Sequence, residues 1–134
     1  PGLDEKSLNE ALGHFRDIAD NGCAVLMITH DIDAALKVAD KIAVFYAGTT
    51  LEVANVIDFK SGNEKLRHPY TKALYNALPQ NEFKPIPGSQ PLPTEIPKGC
   101  LFYERCEIRS NDCKNKRPNT KYIRGGMVRC LNAT

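Results

Sequence analysis

Four of the five cysteines lie after Pro97, spaced Cys100-x5-Cys106-x6-Cys113-x16-Cys130. A segment this short needs a staple to hold a fold, and four thiols suggest a shared one. Three kinds of staple compete. Disulfides require an oxidising compartment. Structural zinc accepts four thiolates but favours Cys-x2-4-Cys knuckles, tighter than these spacings. An iron-sulfur cluster also takes four thiolates and tolerates varied spacing. Spacing alone leaves all three open.

A second group with chemical potential is Thr29-His30-Asp31, which ends the apolar run Cys23-Ala24-Val25-Leu26-Met27-Ile28. Open α/β sheets place ligand-contacting groups at the C-terminal ends of their buried strands, and an imidazole there can donate to developing negative charge. By itself, a lone histidine reads as structural or surface. Cys23, opening the same run, reads as a small buried hydrophobe. His14 and His68 have no partner at metal-ligand spacing.

The elements that must position these groups follow from periodicity. Leu8, Ala11, Leu12, Phe15, Ile18 and Ala19 recur every three or four residues, which predicts an amphipathic helix over 5–20. Asp4 is placed to cap its start and Asn21-Gly22 to end it. The continuous apolar run 23–28 predicts a strand covered on both faces of a parallel sheet. Ile32, Ala35, Leu36 and Ala39 predict a second helix, and Lys41 to Tyr46 another buried strand. That alternation is the rhythm of an α/β layered domain with right-handed crossovers. Thr49 to Val53 reads as a short edge strand after an Ala47-Gly48 turn, residues 54–68 as loop with some helix, and the stretch from Pro69 as a helix. Six of the nine prolines lie between Pro79 and Pro97, which predicts an extended connector. The expected organisation is therefore 1–78, a linker at 79–97, and a cysteine-rich module at 98–134 in which Gly125-Gly126 tips a hairpin.

Composition narrows the class. The chain has 134 residues, 42% apolar and 25% charged, as in soluble globular proteins. No apolar run approaches the roughly 20 residues that span a bilayer, and nothing at the start resembles a signal peptide. The net charge of +2 hides an asymmetry, with nine basic and three acidic residues after Pro97. A solvated face accounts for that as readily as a nucleic-acid or anionic-membrane surface does.

Read together, Gly2-Leu3-Asp4, the helix and apolar run, Thr29-His30-Asp31 and Ala39-Asp40-Lys41-Ile42-Ala43-Val44 resemble the last third of an ABC-type ATPase. The resemblance extends through Tyr46-Ala47-Gly48 and through His68-Pro69-Tyr70-Thr71-Lys72-Ala73-Leu74. Gly99-Cys100, Phe102, Arg105-Cys106, Cys113, Pro118 and Val128-Arg129-Cys130 then resemble the C-terminal extension of the ATP-binding subunits of oligopeptide, dipeptide and nickel importers. It implies the C-terminal portion of a RecA-like layered domain followed by a small irregular cysteine module. Gly2, Leu3 and Asp4 would form the D-loop, with Asp4 at the interface to a second ATPase subunit, and His30 would be the switch residue that meets the γ-phosphate of ATP. It also implies Mg2+ in the intact subunit, transmembrane permease subunits as partners, an external solute-binding protein acting indirectly, and a peripheral position on the cytoplasmic face of a bacterial or archaeal membrane. For Cys100, Cys106, Cys113 and Cys130 the resemblance implies a [4Fe-4S] cluster.

Two positions depart from the family pattern: Pro1 precedes Gly-Leu-Asp, and Leu51-Glu52-Val53-Ala54-Asn55 lacks the usual glycine. The chain contains neither a G-x-x-x-x-G-K-[ST] loop nor an apolar strand ending in Asp-Glu. The expectation is a piece of a longer subunit that by itself neither binds ATP tightly nor hydrolyses it. The competing expectation is a metal or cluster-binding regulatory module that contacts nucleic acid or anionic lipid. The tail's aromatics are only Phe102, Tyr103 and Tyr122, so no stacking platform forms and nucleic acid is not expected as a partner.

Overall fold

The computed structural model describes residues 4–133, with Asn63 described through its backbone alone. It divides into two compact units, residues 1–40 and 41–134.

In the first unit, helix α1 spans Glu5–Asp20. The Asp4 carboxylate accepts the Ser7 N–H at 2.7 Å, which satisfies one of the four free donors at the helix start. That bond holds the Asp4 carboxyl below its ordinary pKa. Gly22, at φ 96°, supplies the left-handed residue just past the C-cap Asn21. Helix α2, Ile32–Val38, begins with the Asp31 side chain accepting from Ala34 N–H at 3.1 Å. Arg16 joins the two helices: it pairs with Asp20 at 2.8 Å and Asp40 at 3.1 Å, and donates to the Val38 carbonyl at 2.9 Å.

The run 23–28 lacks the expected strand. It is irregular, with Leu26 and Ile28 89% and 90% exposed, and Cys23 is exposed rather than buried. A strand exists only where a neighbour accepts its backbone hydrogen bonds. Residues 23–28 pair with no strand among the described residues, so their apolar side chains remain in solvent.

The second unit is built on a four-stranded antiparallel sheet in the order β1-β2-β4-β3, with β1 Lys41–Tyr46, β2 Thr49–Asn55, β3 Lys121–Ile123 and β4 Gly126–Val128. This corrects the expected parallel arrangement for Lys41 to Tyr46. The two-residue turn Ala47-Gly48, with both φ positive at 47° and 80°, allows only an antiparallel hairpin. β1 is accordingly covered on one face, with Val44 and Tyr46 buried and Lys41, Ala43 and Phe45 exposed. β2 lies inside the sheet and not at its edge, because β4 pairs with it through Glu52–Val128 and Val53–Met127. The second hairpin turns at Arg124-Gly125, φ 49° and 75°, one residue before the expected Gly-Gly tip. Gly126 is instead a strand residue whose missing side chain lets β4 approach β2: a Cβ there would overlap the Val53 carbonyl oxygen.

Helix α3 (Val56–Lys60), a 3-10 turn at Asn63–Lys65 and helix α4 (Pro69–Ala77) fill the stretch from 56 to 77. Pro69 opens α4, where its absent N–H is harmless. The segment 79–97 has no helix or strand. The units nevertheless divide between Asp40 and Lys41, and the cysteine segment contributes β3 and β4 to the sheet begun by residues 41–55.

On the covered face of the sheet Glu52 is fully buried. Its carboxylate accepts the backbone N–H groups of Arg67, at 3.1 Å, and His68, at 2.8 Å, and pairs with the Arg67 guanidinium at 3.2 Å. The same guanidinium reaches Asp58 at 3.0 Å and the Arg124 carbonyl at 3.4 Å. His68 Nδ1 accepts the Tyr70 N–H at 3.0 Å and so caps α4, and burial pushes its pKa down to about 4. Removing one partner of a buried pair strands the other charge. Glu52→Gln is expected to cost about 3–5 kcal/mol of stability, measured by urea unfolding of the chain.

Candidate functional site

The four tail cysteines come from four separate pieces of backbone. Cys100 follows the extended connector, Cys106 ends a 3-10 turn at Tyr103–Arg105, Cys113 lies in helix α5 (Asn111–Asn115), and Cys130 follows β4. All four are buried thiols with no disulfide between them. The N–H of Cys100 donates to the Cys113 carbonyl at 2.8 Å, which fastens the first piece to the third. That approach requires Gly99, since a Cβ at this position would overlap the Cys113 carbonyl. Phe102 anchors the segment by packing against Tyr46, Tyr70 and His68, with ring centroids 5.4–5.6 Å apart. Tyr46, Leu51, Leu101, Phe102 and three of the cysteines share one hydrophobic cluster.

Burial raises the pKa of Cys100, Cys106 and Cys130, and negative charge on the neighbouring sulfurs raises it further. Cys130 and Cys113 act in this way on Cys100; Cys130, Cys100 and Cys113 on Cys106; and Cys113 on Cys130. Backbone N–H groups oppose the rise: Phe102 at Cys100, Ile108 at Cys106, and Asn132 with Ala133 at Cys130. Arg117 near Cys100 and Lys121 near Cys130 act in the same lowering direction. Around Cys113 the donors are the Ser110 N–H at 3.4 Å and the Asn132 side-chain amide at 3.6 Å. At Cys100, Cys106 and Cys130 these donors offset part of the burial that favours the neutral thiol. Sequence spacing contained no sign of these donors.

Among the described residues no three His, Cys, Asp or Glu side chains group so as to hold a metal ion. A tetrahedral zinc draws its sulfurs to one point at about 2.3 Å each, and the thiols are not gathered in that way. A cluster asks something different, because each thiolate binds its own iron and the sulfurs surround a larger body. The described residues supply four buried thiols with hydrogen-bond donors nearby, and no grouping of three metal ligands.

The remaining site residues lie in the first unit. His30 is exposed, between the apolar run and the start of α2. Its neighbours are ordered around it: Thr29 Oγ1 accepts the Asp31 N–H at 3.0 Å, and Asp31 caps α2. Asp4 is an exposed helix cap. Gly2 and Leu3, the other expected D-loop residues, lie outside the described residues. His68, which spacing left without a role, is a buried cap in contact with Phe102.

With this geometry in place, residues 52–113 match the family model for the oligopeptide/dipeptide transporter, C-terminal region. Through those residues the chain belongs to that family, and its relatives are ATP-binding proteins of peptide ABC transporters. It is 36% identical over 108 residues to the dipeptide transport ATP-binding protein DppD of Caldanaerobacter subterraneus subsp. tengcongensis, covering 75% of this chain and 31% of that protein. The oligopeptide transport ATP-binding protein OppD of Salmonella typhimurium is 35% identical over 113 residues, 81% of this chain and 33% of that protein. The probable peptide ABC transporter ATP-binding protein y4tR of Sinorhizobium fredii is 36% identical over 117 residues, 82% of this chain and 34% of that protein. The chain therefore spans about a third of the length of the curated relatives it matches.

The contrast between exposed Cys23 and the buried quartet has a measurable consequence. In the metal-free, reduced chain at neutral pH, iodoacetamide is expected to modify Cys23 first, with Cys100, Cys106 and Cys130 following only at higher pH or on unfolding. Peptide mapping by mass spectrometry reads the order.

Proposed function

We propose that the chain is the C-terminal part of the ATP-hydrolysing subunit of an ABC importer that takes up oligopeptides or dipeptides, with nickel as an alternative cargo. The observation that carries this reading is the match of residues 52–113 to the transporter C-terminal region, supported by relatives that are ATP-binding subunits along most of this chain. No helix among the described residues is long and apolar enough to cross a membrane. That agrees with a peripheral subunit working beneath separate permease subunits.

In the intact subunit the exposed run 23–28 becomes a sheet strand, covered by parts of the protein that this chain does not include. His30, at the end of that strand, then faces bound ATP. A γ-phosphate in transfer gathers charge on its oxygens, so an imidazole N–H directed at them stabilises the transition state more than the ground state. Asp4, with Gly2 and Leu3, packs against the second ATPase subunit and keeps its role as a helix cap. The residues that cradle phosphate and hold Mg2+ are missing from this sequence, and the chain alone is inactive. The test is His30→Ala in the full-length subunit. ATPase turnover is expected to fall by roughly a hundredfold or more, and an unchanged rate contradicts the assignment.

The four thiols are proposed as ligands of a [4Fe-4S] cluster. When bound, such a group supplies a four-point cross-link between chain segments and one-electron redox chemistry. The residues of this chain do the positioning: the Cys100–Cys113 backbone bond and the Phe102 anchor set the sulfur spacing, and the N–H donors with Arg117 and Lys121 offset thiolate charge. After anaerobic purification, iron and labile sulfide are expected at about four atoms each per chain. One zinc with no iron overturns this part and leaves the transporter assignment intact.

A further inference from the structure

A hollow of about 230 Å³ opens beside the cysteine segment, between the start of β2 and residues 117–120. Two guanidiniums line it, those of Arg117 and Arg129. Neither forms an ion pair with any described residue, and no acidic side chain lines the hollow.

The way these cations are held gives the site its shape. Arg129 donates to Thr49 Oγ1 at 2.7 Å through one terminal nitrogen and to Thr120 Oγ1 at 3.2 Å through Nε. A hydroxyl that accepts from an arginine still has its own proton to donate, so Thr49 and Thr120 extend the donor surface. Arg117 is fixed by the Gly99 carbonyl at 2.9 Å and by the Pro97 carbonyl. Both guanidiniums are therefore oriented by neutral acceptors, which set their direction without pairing either with a carboxylate; Cys100, which also lines the hollow, is the one group there that can carry negative charge. Asn119, exposed at the rim, adds an amide. A planar fork of N–H donors beside hydroxyl donors is the arrangement that recognises tetrahedral oxyanions and carboxylates.

We propose that this hollow binds a phosphate-type oxyanion, held between Arg117 and Arg129 with the hydroxyls of Thr49 and Thr120 completing the shell. The volume is roughly eight times the share of one water molecule in the liquid, enough for one phosphate group and part of whatever carries it. Every residue of the site belongs to the larger unit, and His30 belongs to the other. It needs neither ATP nor a cluster, so its success or failure is independent of the transporter assignment.

The test is a titration of the 134-residue chain with sodium phosphate at constant ionic strength, followed by 1H–15N correlation spectra, with sodium chloride as the control salt. Saturable shifts confined to the amides of Thr49, Asn119, Thr120 and Arg129 are expected. Arg117→Gln is expected to weaken binding at least tenfold. Because Arg117 also braces Gly99 and Pro97, a second variant, Asn119→Asp, places a carboxylate at the rim without removing those braces and is expected to abolish binding. Shifts that chloride reproduces, that do not saturate, or that survive Asn119→Asp overturn the proposal. Glycerol 3-phosphate in place of the inorganic ion separates the two sources: tighter binding identifies a phosphate carried on an organic group, and equal or weaker binding the free ion.

Discussion

The larger unit is organised around a single buried carboxylate. Glu52 sits on the covered face of β2, and among the described residues its carboxylate is held by Arg67 and His68, fifteen and sixteen residues away. Two of its contacts are backbone N–H groups just ahead of α4, so it fixes where that helix starts. The Arg67 guanidinium then extends the network to Asp58 in α3 and to the turn between β3 and β4. Sheet, both helices and the second hairpin thus meet at one ion pair. A charge in such a place is tolerable only when its lone pairs are satisfied, which is why the surrounding geometry has little freedom.

The cysteine segment is attached to this frame by packing as well as by strand pairing. Phe102 fills the space among Tyr46, Tyr70 and His68, and the Arg105 guanidinium lies 5.7 Å from the ring centres of Tyr46 and Phe102. His68 therefore links the two parts of the unit: its backbone belongs to the Glu52 network and its ring belongs to the aromatic cluster. The raised thiol pKa values are a consequence of the same burial. Without a ligand Cys100, Cys106 and Cys130 are neutral groups in an apolar setting, and the donors gathered around their sulfurs acquire importance only when thiolate forms.

The smaller unit is of another kind. Its helices are well capped and joined by Arg16, yet its most apolar segment pairs with no strand among the described residues and lies in solvent. Leu26 and Ile28 are side chains that ordinarily occupy an interior, and a run of them left exposed indicates a surface made to be covered. The same segment leads into His30, so whatever covers it also sets the environment of the imidazole.

Much of this was readable from residue types. The periodicity of Leu8 to Ala19 with Asp4 and Gly22 at its ends specifies α1, Pro69 opens α4, and Ala47-Gly48 marks a tight turn, because caps and turns depend on local dihedral preferences. The motifs around His30, His68 and the four cysteines likewise sufficed to identify the family that the comparisons then showed. What the sequence could not decide was anything requiring a second strand or a distant donor. Residues 23–28 and 41–46 look alike as apolar runs, yet one is unpaired and the other forms a hairpin, since pairing depends on which backbone lies alongside. Nothing in the spacing of Glu52 and Arg67 marks them as partners; folding buries both and makes each the other's counterion. The N–H groups aimed at the sulfurs and the two unpaired arginines of the hollow were decided by tertiary structure alone, because they join residues distant in sequence through directions that no spacing encodes.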